Sequence, residues 1–359
     1  MKVAVVGCQG VPAQYGGYET LVEYLVEYRP KDVEVTVYCS ASKYPNKQNL
    51  YKGVCLKYIH LPSNGLMSCI YDMYTILISV FRYDKILLLG SSGGFILPFL
   101  FPFRNKFVLN IGGIEWARSK YSPIMQRIVR VLMWVSVKSS GLLIADNQGI
   151  KEYIKKEYNR DDATVIAYGG DQAQRLPITE ELVIKYPFLG AKYAIAIARV
   201  QSDNNVEVLL EAFKKALIPL VYIGNWDVSD YAKSIRKKYS CYSNLILLDA
   251  IYDLSVLNVL RGNCYFYVHG HSAGGTNPSL VEAMHLEVPL VCFCNIFNKY
   301  VTEDKAYYFN NVAELNEIVN SLDELSLQQN AKLMKMIAME KYTWKSIAQQ
   351  YYNFMIKGK

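Results

Sequence analysis

No G-x-G-x-x-G stretch occurs in the 359 residues, nor does a D-x-D pair or a Tyr-x-x-x-Lys pair. These absences argue against a dinucleotide fingerprint, a carboxylate pair for a divalent cation, and a short-chain-type redox centre. Internal repeats and low-complexity tracts are missing as well. The eight cysteines stand singly apart from Cys292 and Cys294, which is no disulfide framework and reads as small core hydrophobes in a reducing cytoplasm. The opening MKVAVVG is too short an apolar run for a signal peptide and reads as a buried strand. The longest uncharged window, residues 86–103, reaches only the lower edge of a membrane span. It is split by Ser91-Ser92-Gly93-Gly94 and interrupted by Pro98 and Pro102. It reads as a strand, a turn and a short apolar segment, FILPFLFPF.

What is present is a well-buried globular composition, 52% hydrophobic and 20% charged. Its 30 tyrosines are scattered and define no motif. The net charge of +7 lies wholly in residues 1–170, which hold 20 Lys+Arg against 13 Asp+Glu. The remainder holds 19 of each. The first half is thus expected to approach something anionic. Runs rich in Val, Ile and Leu alternate with helix-length segments. Strands are expected at 3–6, 33–38, 86–89, 106–110, 142–145 and 164–166, then at 193–198, 220–223, 245–248, 265–269 and 289–293. That pattern predicts two doubly wound parallel sheets, in domains of residues 1–170 and 171–340, facing each other across a cleft that holds the site.

Two glycine-rich loops follow expected strands. GCQGVPAQYGGYETLVEYL places Gly16-Gly17 just before a helix, and HGHSAGGTNPSLVEAM leads through 274–279 into the helix carrying Glu282. Backbone amides at a helix start, backed by its dipole, can hold an anion; the bland alternative is a flexible capped loop. Arg199, at the carboxyl end of YAIAIA, suits bidentate phosphate binding, or is a surface arginine paired with Asp203 or Glu207. His269-x-His271 and Cys292-x-Cys294 lack a matching ligand set, so burial is the preferred reading over zinc.

With these residues in view, the chain resembles the GT-B retaining glycosyltransferases of family 4 over essentially its whole length. GVPAQYGGYET and HGHSAGGTNPSLVEAM are similar to a bacterial branch containing rhamnosyltransferases of capsule and cell-wall polysaccharide assembly. YTWKSIAQQYYNFM resembles the family's closing helix, so residues 341–359 are expected to cross back onto the N-terminal domain. The resemblance implies that Gly16, Gly17 and Arg199 bind the donor diphosphate, with Asn204 where the family commonly has lysine. It implies that Gly275, Thr276, Asn277, Pro278 and Ser279 line the donor. Glu282 would hold the ribose as the second glutamate of E-x7-E; the first falls at Gly274. Thr276 or Asn277 are the expected substitutes. Glu115 and Asp146 join Arg199 as implied catalytic residues, and Tyr18, Glu19, Asn110, Trp116 and Tyr168 as implied acceptor residues. Gly112 stands where the branch has aspartate.

The function implied is metal-independent, cofactor-free transfer of a sugar with retention. The donor would be dTDP-rhamnose first and UDP-hexoses next, and the acceptor a lipid-linked saccharide at the inner membrane face. No nucleic-acid partner is expected. The other classes in play are an NAD-dependent oxidoreductase or epimerase of nucleotide sugars and a non-catalytic lipid- or saccharide-binding scaffold. For the anionic membrane surface, the expected helix at 123–138 starts with a Ser122 cap and a proline. It aligns Arg127, Arg130, Trp134 and Lys138 on one face, unless that face is simply solvated.

Overall fold

The computed structural model describes residues 1–358 except 15, 64, 66 and 118–120. Tyr15 of the first glycine loop, and the residues after the motif GIEWA, therefore lie outside the described residues. The chain divides into two compact units, Met1–Tyr168 with Trp344–Lys359, and Gly169–Thr343.

The first unit contains β1 (Lys2–Val6), α1 (Gly17–Glu27), β2 (Glu34–Ser40), β3 (Leu50–Tyr51), β4 (Val54–Ile59), α2 (Met67–Ser79), β5 (Lys85–Leu89), β6 (Phe107–Ile111), α3 (Pro123–Ser139), β7 (Leu142–Ala145), α4 (Gln148–Tyr158) and β8 (Thr164–Val165). Its sheet order is β3-β4-β2-β1-β5-β6-β7-β8. Pairing is parallel except in the β3–β4 hairpin, which turns through Lys52 and Gly53, both at positive φ. Between β5 and β6, Gly94–Lys106 winds as 3-10 turns broken at Leu100, because Pro98 and Pro102 supply no N–H to an α-helical ladder. No helix among the described residues is long and apolar enough to cross a membrane.

The second unit contains α5 (Glu180–Lys185), β9 (Ala194–Ile197), α6 (Val206–Phe213), β10 (Leu220–Ile223), α7 (Asp230–Tyr239), β11 (Leu245–Leu248), α8 (Leu254–Gly262), β12 (Phe266–His269), α9 (Pro278–His285), β13 (Leu290–Phe293), α10 (Ile296–Val301), β14 (Tyr307–Phe309), α11 (Val312–Ser321) and α12 (Glu324–Lys341). The six strands run β11-β10-β9-β12-β13-β14, all parallel. Val, Ile and Leu fill both faces of the central strands, since helices cover each side.

The closing helix α13 (Trp344–Lys357) belongs to the first unit. Trp344 stacks on Tyr24 of α1 at 4.6 Å between ring centroids, and the Tyr352 hydroxyl donates to Leu25 O at 2.8 Å. Trp344, Ile347, Tyr351 and Met355 are buried in the same core as α1 and β1.

Candidate functional site

In the second unit strand order reverses between β9 and β12: β10 and β11 lie to one side, β13 and β14 to the other. Open parallel sheets bind ligands beyond the carboxyl ends of the strands at such a reversal. Arg199 leaves β9 there. It is exposed, and no ion pair holds it among the described residues. Glu207, a candidate partner from sequence, pairs instead with Lys238 at 2.9 Å. A cation left without a counter-ion at a ligand-binding edge can meet an anionic ligand.

The loops leaving β9 and β12 are tied together. Asn204 is buried; its Nδ2 donates to Arg199 O at 2.7 Å, and its Oδ1 lies 2.6 Å from His271 Nδ1. Asn205 Nδ2 donates to Gly270 O at 2.8 Å, while Ser272 N and Oγ both donate to Asp203 O at 2.9 and 2.7 Å. These bonds fix the glycine loop that follows. Gly274 sits at φ 135, a conformation that disfavours any Cβ. Asn277 caps α9 by accepting from Ser279 N at 3.0 Å and Ser279 Oγ at 2.8 Å, and Pro278 takes the first helical position. Gly275 and Thr276 are buried beside them.

Glu282 is a further turn into α9. Arg261 of α8 donates to its Oε2 at 2.6 Å and Gln172 Nε2 to its Oε1 at 2.6 Å. Each carboxylate oxygen keeps a second lone pair, so the pair orients Glu282 without exhausting it. Arg261 is almost fully buried, so the ion pair shields one charge that would otherwise be stranded. Of the histidines singled out in the sequence, His269 is buried on β12 and burial holds its pKa well down; His271 is the one tied to Asn204.

In the first unit the order reverses between β1 and β5. The loop from β1 to α1 is braced from both sides: Glu19 Oε1 accepts from Gln9 N at 2.9 Å, Glu23 Oε2 from Ala13 N at 3.0 Å, and Gln9 O from Ser40 N at 2.8 Å. Gly16 opens α1 at φ 124, and a Cβ there would stand 2.1 Å from Glu19 Oε2. Glu19 is buried, and that burial raises its pKa despite the amide it accepts. Gly17 is the first residue of α1, and Tyr18, on the same turn, lies over the ends of β5 and β6. A Cβ on Gly112 would stand 3.0 Å from the Tyr18 hydroxyl, so the position held by aspartate in the resembled branch is here crowded by a tyrosine.

Behind Tyr18 lies a buried polar group. Asn110 of β6 donates through Nδ2 to the Tyr351 hydroxyl of α13, and its Oδ1 has no hydrogen-bond partner among the described residues. Asp146, just past β7, and Tyr168 are buried beside them; burial first, then the nearby Tyr18, Tyr351, Asp146 and Glu19, raise the Tyr168 pKa. Glu115 and Trp116 form a short 3-10 turn, where Trp116 Nε1 donates to Tyr153 OH at 2.7 Å and Arg130 lies over the indole at 4.9 Å.

Arg130 bonds Glu157 at 3.1 Å and Lys138 donates to Tyr158 O at 2.6 Å, so the basic stripe on α3 is turned partly onto the protein. The exposed side chains of α3 are both basic and apolar: Arg127 and Arg130 with Ile124, Ile128, Val131 and Trp134. Sequence reasoning also missed Arg261, Gln172 and Tyr351, each brought to the site by contacts far apart in the chain that leave no local signal.

A family profile described as a domain of unknown function, DUF1972, matches residues 1–171. A search among curated protein sequences returns no match. Among solved structures, the chain is similar to sucrose-phosphate synthase from Thermosynechococcus elongatus, at 13% identity and TM-score 0.82, covering 99% of this chain and 98% of that one. It is similar to Anabaena HepE in complex with UDP-glucose at 15% identity and TM-score 0.76, covering 99% of each chain. A third likeness is an E. coli structure described as trehalose-6-phosphate bound with UDP-2-fluoro glucose, at 12% identity and TM-score 0.71, covering 99% of each. At these identities the shared property is the fold, and that fold is the α/β GT-B architecture.

Proposed function

We propose that the chain is a retaining glycosyltransferase of family 4. Its donor is a nucleotide sugar, dTDP-rhamnose in the first instance, and its acceptor a lipid-linked saccharide in bacterial surface-polysaccharide synthesis. The observation that carries this reading is Arg199, exposed and without an ion pair among the described residues, at the strand reversal of the second unit, beside a glycine loop pinned by Asn204 and Asn205. UDP-hexoses are the second donor choice, favoured by the UDP-glucose bound in HepE.

The chemistry follows from charge. As the glycosidic bond to the diphosphate lengthens, negative charge collects on the leaving oxygens. Arg199 and the amides around 275–279 are the groups that stabilise it, and a D-x-D cation site is missing from the sequence. Glu282, oriented by Arg261, accepts from the ribose. With no side chain assigned as nucleophile, departure and attack occur on one face of the sugar, which retains the anomeric configuration. In the first unit Tyr18, Glu19, Asn110, Trp116 and Tyr168 receive the acceptor, with Glu115 and Asp146 available to its attacking hydroxyl.

A membrane-bound acceptor is supported by three neighbouring elements. On α2, Met67, Ile70, Tyr74 and Leu77 are exposed at spacings of three and four, followed by Phe81. Phe95, Phe99 and Phe101 are exposed on the 3-10 segment, which packs against both α2 and α3. The only acidic residue of the three elements is Asp72, which is buried.

The test is turnover of a nucleotide-sugar panel with extracted lipid-linked acceptors. Release of nucleoside diphosphate with a glycosylated product of unchanged anomeric configuration by NMR supports the reading. Product formed with inversion, or a requirement for NAD, overturns it.

A further inference from the structure

We propose that Lys47 and His60 form an anion-binding pair in the first unit, which takes a phosphate or diphosphate group carried by the acceptor. The inference rests on the reading of the first unit as the acceptor side and deepens it by naming the acceptor's charge.

The pair stands at the ligand-binding edge of the sheet. β1, β2 and β4 run parallel, so residues 41–49 and His60 follow carboxyl ends, as the first glycine loop does. These segments are fastened together. The Tyr44 hydroxyl donates to Pro12 O at 3.0 Å and Gln14 Nε2 donates to Lys43 O at 3.2 Å. Gln48 N donates to the Tyr58 hydroxyl at 2.9 Å, which ties the loop after β2 to β4. Lys47 Nζ then lies 3.3 Å from His60 Nε2, with both side chains exposed.

That contact fixes the chemistry on offer. An ammonium nitrogen has no lone pair, so Nε2 is the acceptor, and the neutral ring carries its proton on Nδ1. What remains of the pair is N–H donors from Lys47 and one from His60, with no acceptor among them. If the ring is protonated instead, two cations stand side by side, an arrangement that an anion between them relieves. Either protonation state suits a ligand rich in negative oxygen.

The surrounding chain does not supply one. No acidic residue occurs between Glu34 and Asp72, a stretch that holds Lys43, Lys47, Lys52 and Lys57. Lys52 is paired with Glu23 and Glu27, at 2.8 Å each, whereas Lys43 and Lys47 have no ion pair among the described residues. Glu19 and Glu23, which brace the neighbouring glycine loop, accept from Gln9 N and Ala13 N. Donors brought together from two loops suit a phosphate, whose oxygens spread over a tetrahedron, better than a carboxylate, whose two oxygens share a plane.

The chain has four histidines, so the imidazole nitrogen NMR spectrum reports on His60 directly, its signals assigned by their loss in His60→Gln. Inorganic pyrophosphate and, separately, glucuronate are titrated into wild type, Lys47→Gln and Lys47→Arg, with melting curves to verify folding. Pyrophosphate is expected to shift the His60 signals to saturation, roughly tenfold more weakly in Lys47→Gln and within about threefold of wild type in Lys47→Arg. No saturable shift at His60, equal affinity in Lys47→Gln, or glucuronate binding as tightly as pyrophosphate overturns the proposal. Co-sedimentation with phosphatidylglycerol vesicles separates the acceptor from a bilayer headgroup. A loss in Lys47→Gln as large as that for pyrophosphate would assign the pair to the bilayer and overturn the acceptor assignment. In turnover with extracted lipid-linked acceptors, Lys47→Gln should raise acceptor KM and leave kcat nearly unchanged. If KM does not move, this proposal falls and the transferase reading stands. If wild type transfers no sugar from any donor, the transferase reading falls and takes the acceptor assignment with it, whatever His60 shows.

Discussion

Asp72 is a carboxyl group buried under Gly93 at the strand reversal of the first unit, and burial pushes its pKa up to about 7. An unfolded aspartate titrates near pKa ~3.9. The folded state therefore holds its proton more tightly, and the stability this gives is complete below about pH 4 and lost as pH rises through about 7. Asp72→Asn is expected to raise the melting temperature at pH 8.5, by a gain of at most about 4 kcal/mol, and to have no effect near pH 4. A variant equally stabilised at both pH values would show that ionisation is not the cause. Arg199 and Glu282 call for a different measurement. If Arg199 meets the leaving diphosphate as proposed, Arg199→Ala should lower kcat as well as donor affinity, by roughly a hundredfold in rate, because that charge grows towards the transition state. Glu282→Gln should chiefly raise donor KM, because a ribose contact is similar before and during departure. Loss of kcat at unchanged KM would place Glu282 in the chemical step. Both residues were legible in the sequence, each sitting after a strand in a recognisable motif. Arg261, 21 residues before the glutamate it orients, and Tyr351, 241 residues after Asn110, were not, since only folding makes them neighbours.

At the scale of elements, buried strands were legible because parallel strands covered on both faces read as unbroken apolar runs, as in KILLL of β5 and LVYI of β10. The edge was not. In β4, Val54 and Leu56 are buried while Cys55 is exposed, an alternation that breaks the apolar run, and β14 is only three residues long. Helix α13 shows the other limit: its aromatic spacing was visible, but the partners of those aromatics were not. Trp344 lies between Tyr24 and Tyr168, which are 4.6 and 5.8 Å away between ring centroids. Truncating a buried tryptophan costs on the order of 3–5 kcal/mol. Trp344→Ala is therefore expected to lower the unfolding midpoint in urea and to expose the first unit to limited proteolysis while the second stays protected. Cleavage appearing first in the second unit would refute the assignment of α13 to the first.

The charge of the whole molecule follows its two units more sharply than its two sequence halves. Residues 344–359 bring three lysines and no acid to the first unit, which then holds 23 Lys+Arg against 13 Asp+Glu, a net of +10. The second unit holds 16 against 19, a net of −3. The same first unit carries the exposed apolar side chains of α2, the 3-10 segment and α3, with Phe99 at 81% exposure, and Phe81 just past α2 at 72%. Apolar contact and positive charge on one unit are the two ingredients of reversible binding to an anionic bilayer: the first sets depth of insertion, the second the attraction from a distance. They can be told apart by salt, because attraction between exposed charges is screened over about 10 Å at 0.1 M ionic strength while apolar burial is not weakened. Co-sedimentation with vesicles containing phosphatidylglycerol is expected to exceed that with phosphatidylcholine alone, and to fall as sodium chloride rises from 50 to about 500 mM. Phe81→Ser with Phe99→Ser should reduce binding at every salt concentration and leave the salt slope unchanged. Binding indifferent to lipid charge and to these two phenylalanines would leave the acceptor to reach the first unit from solution.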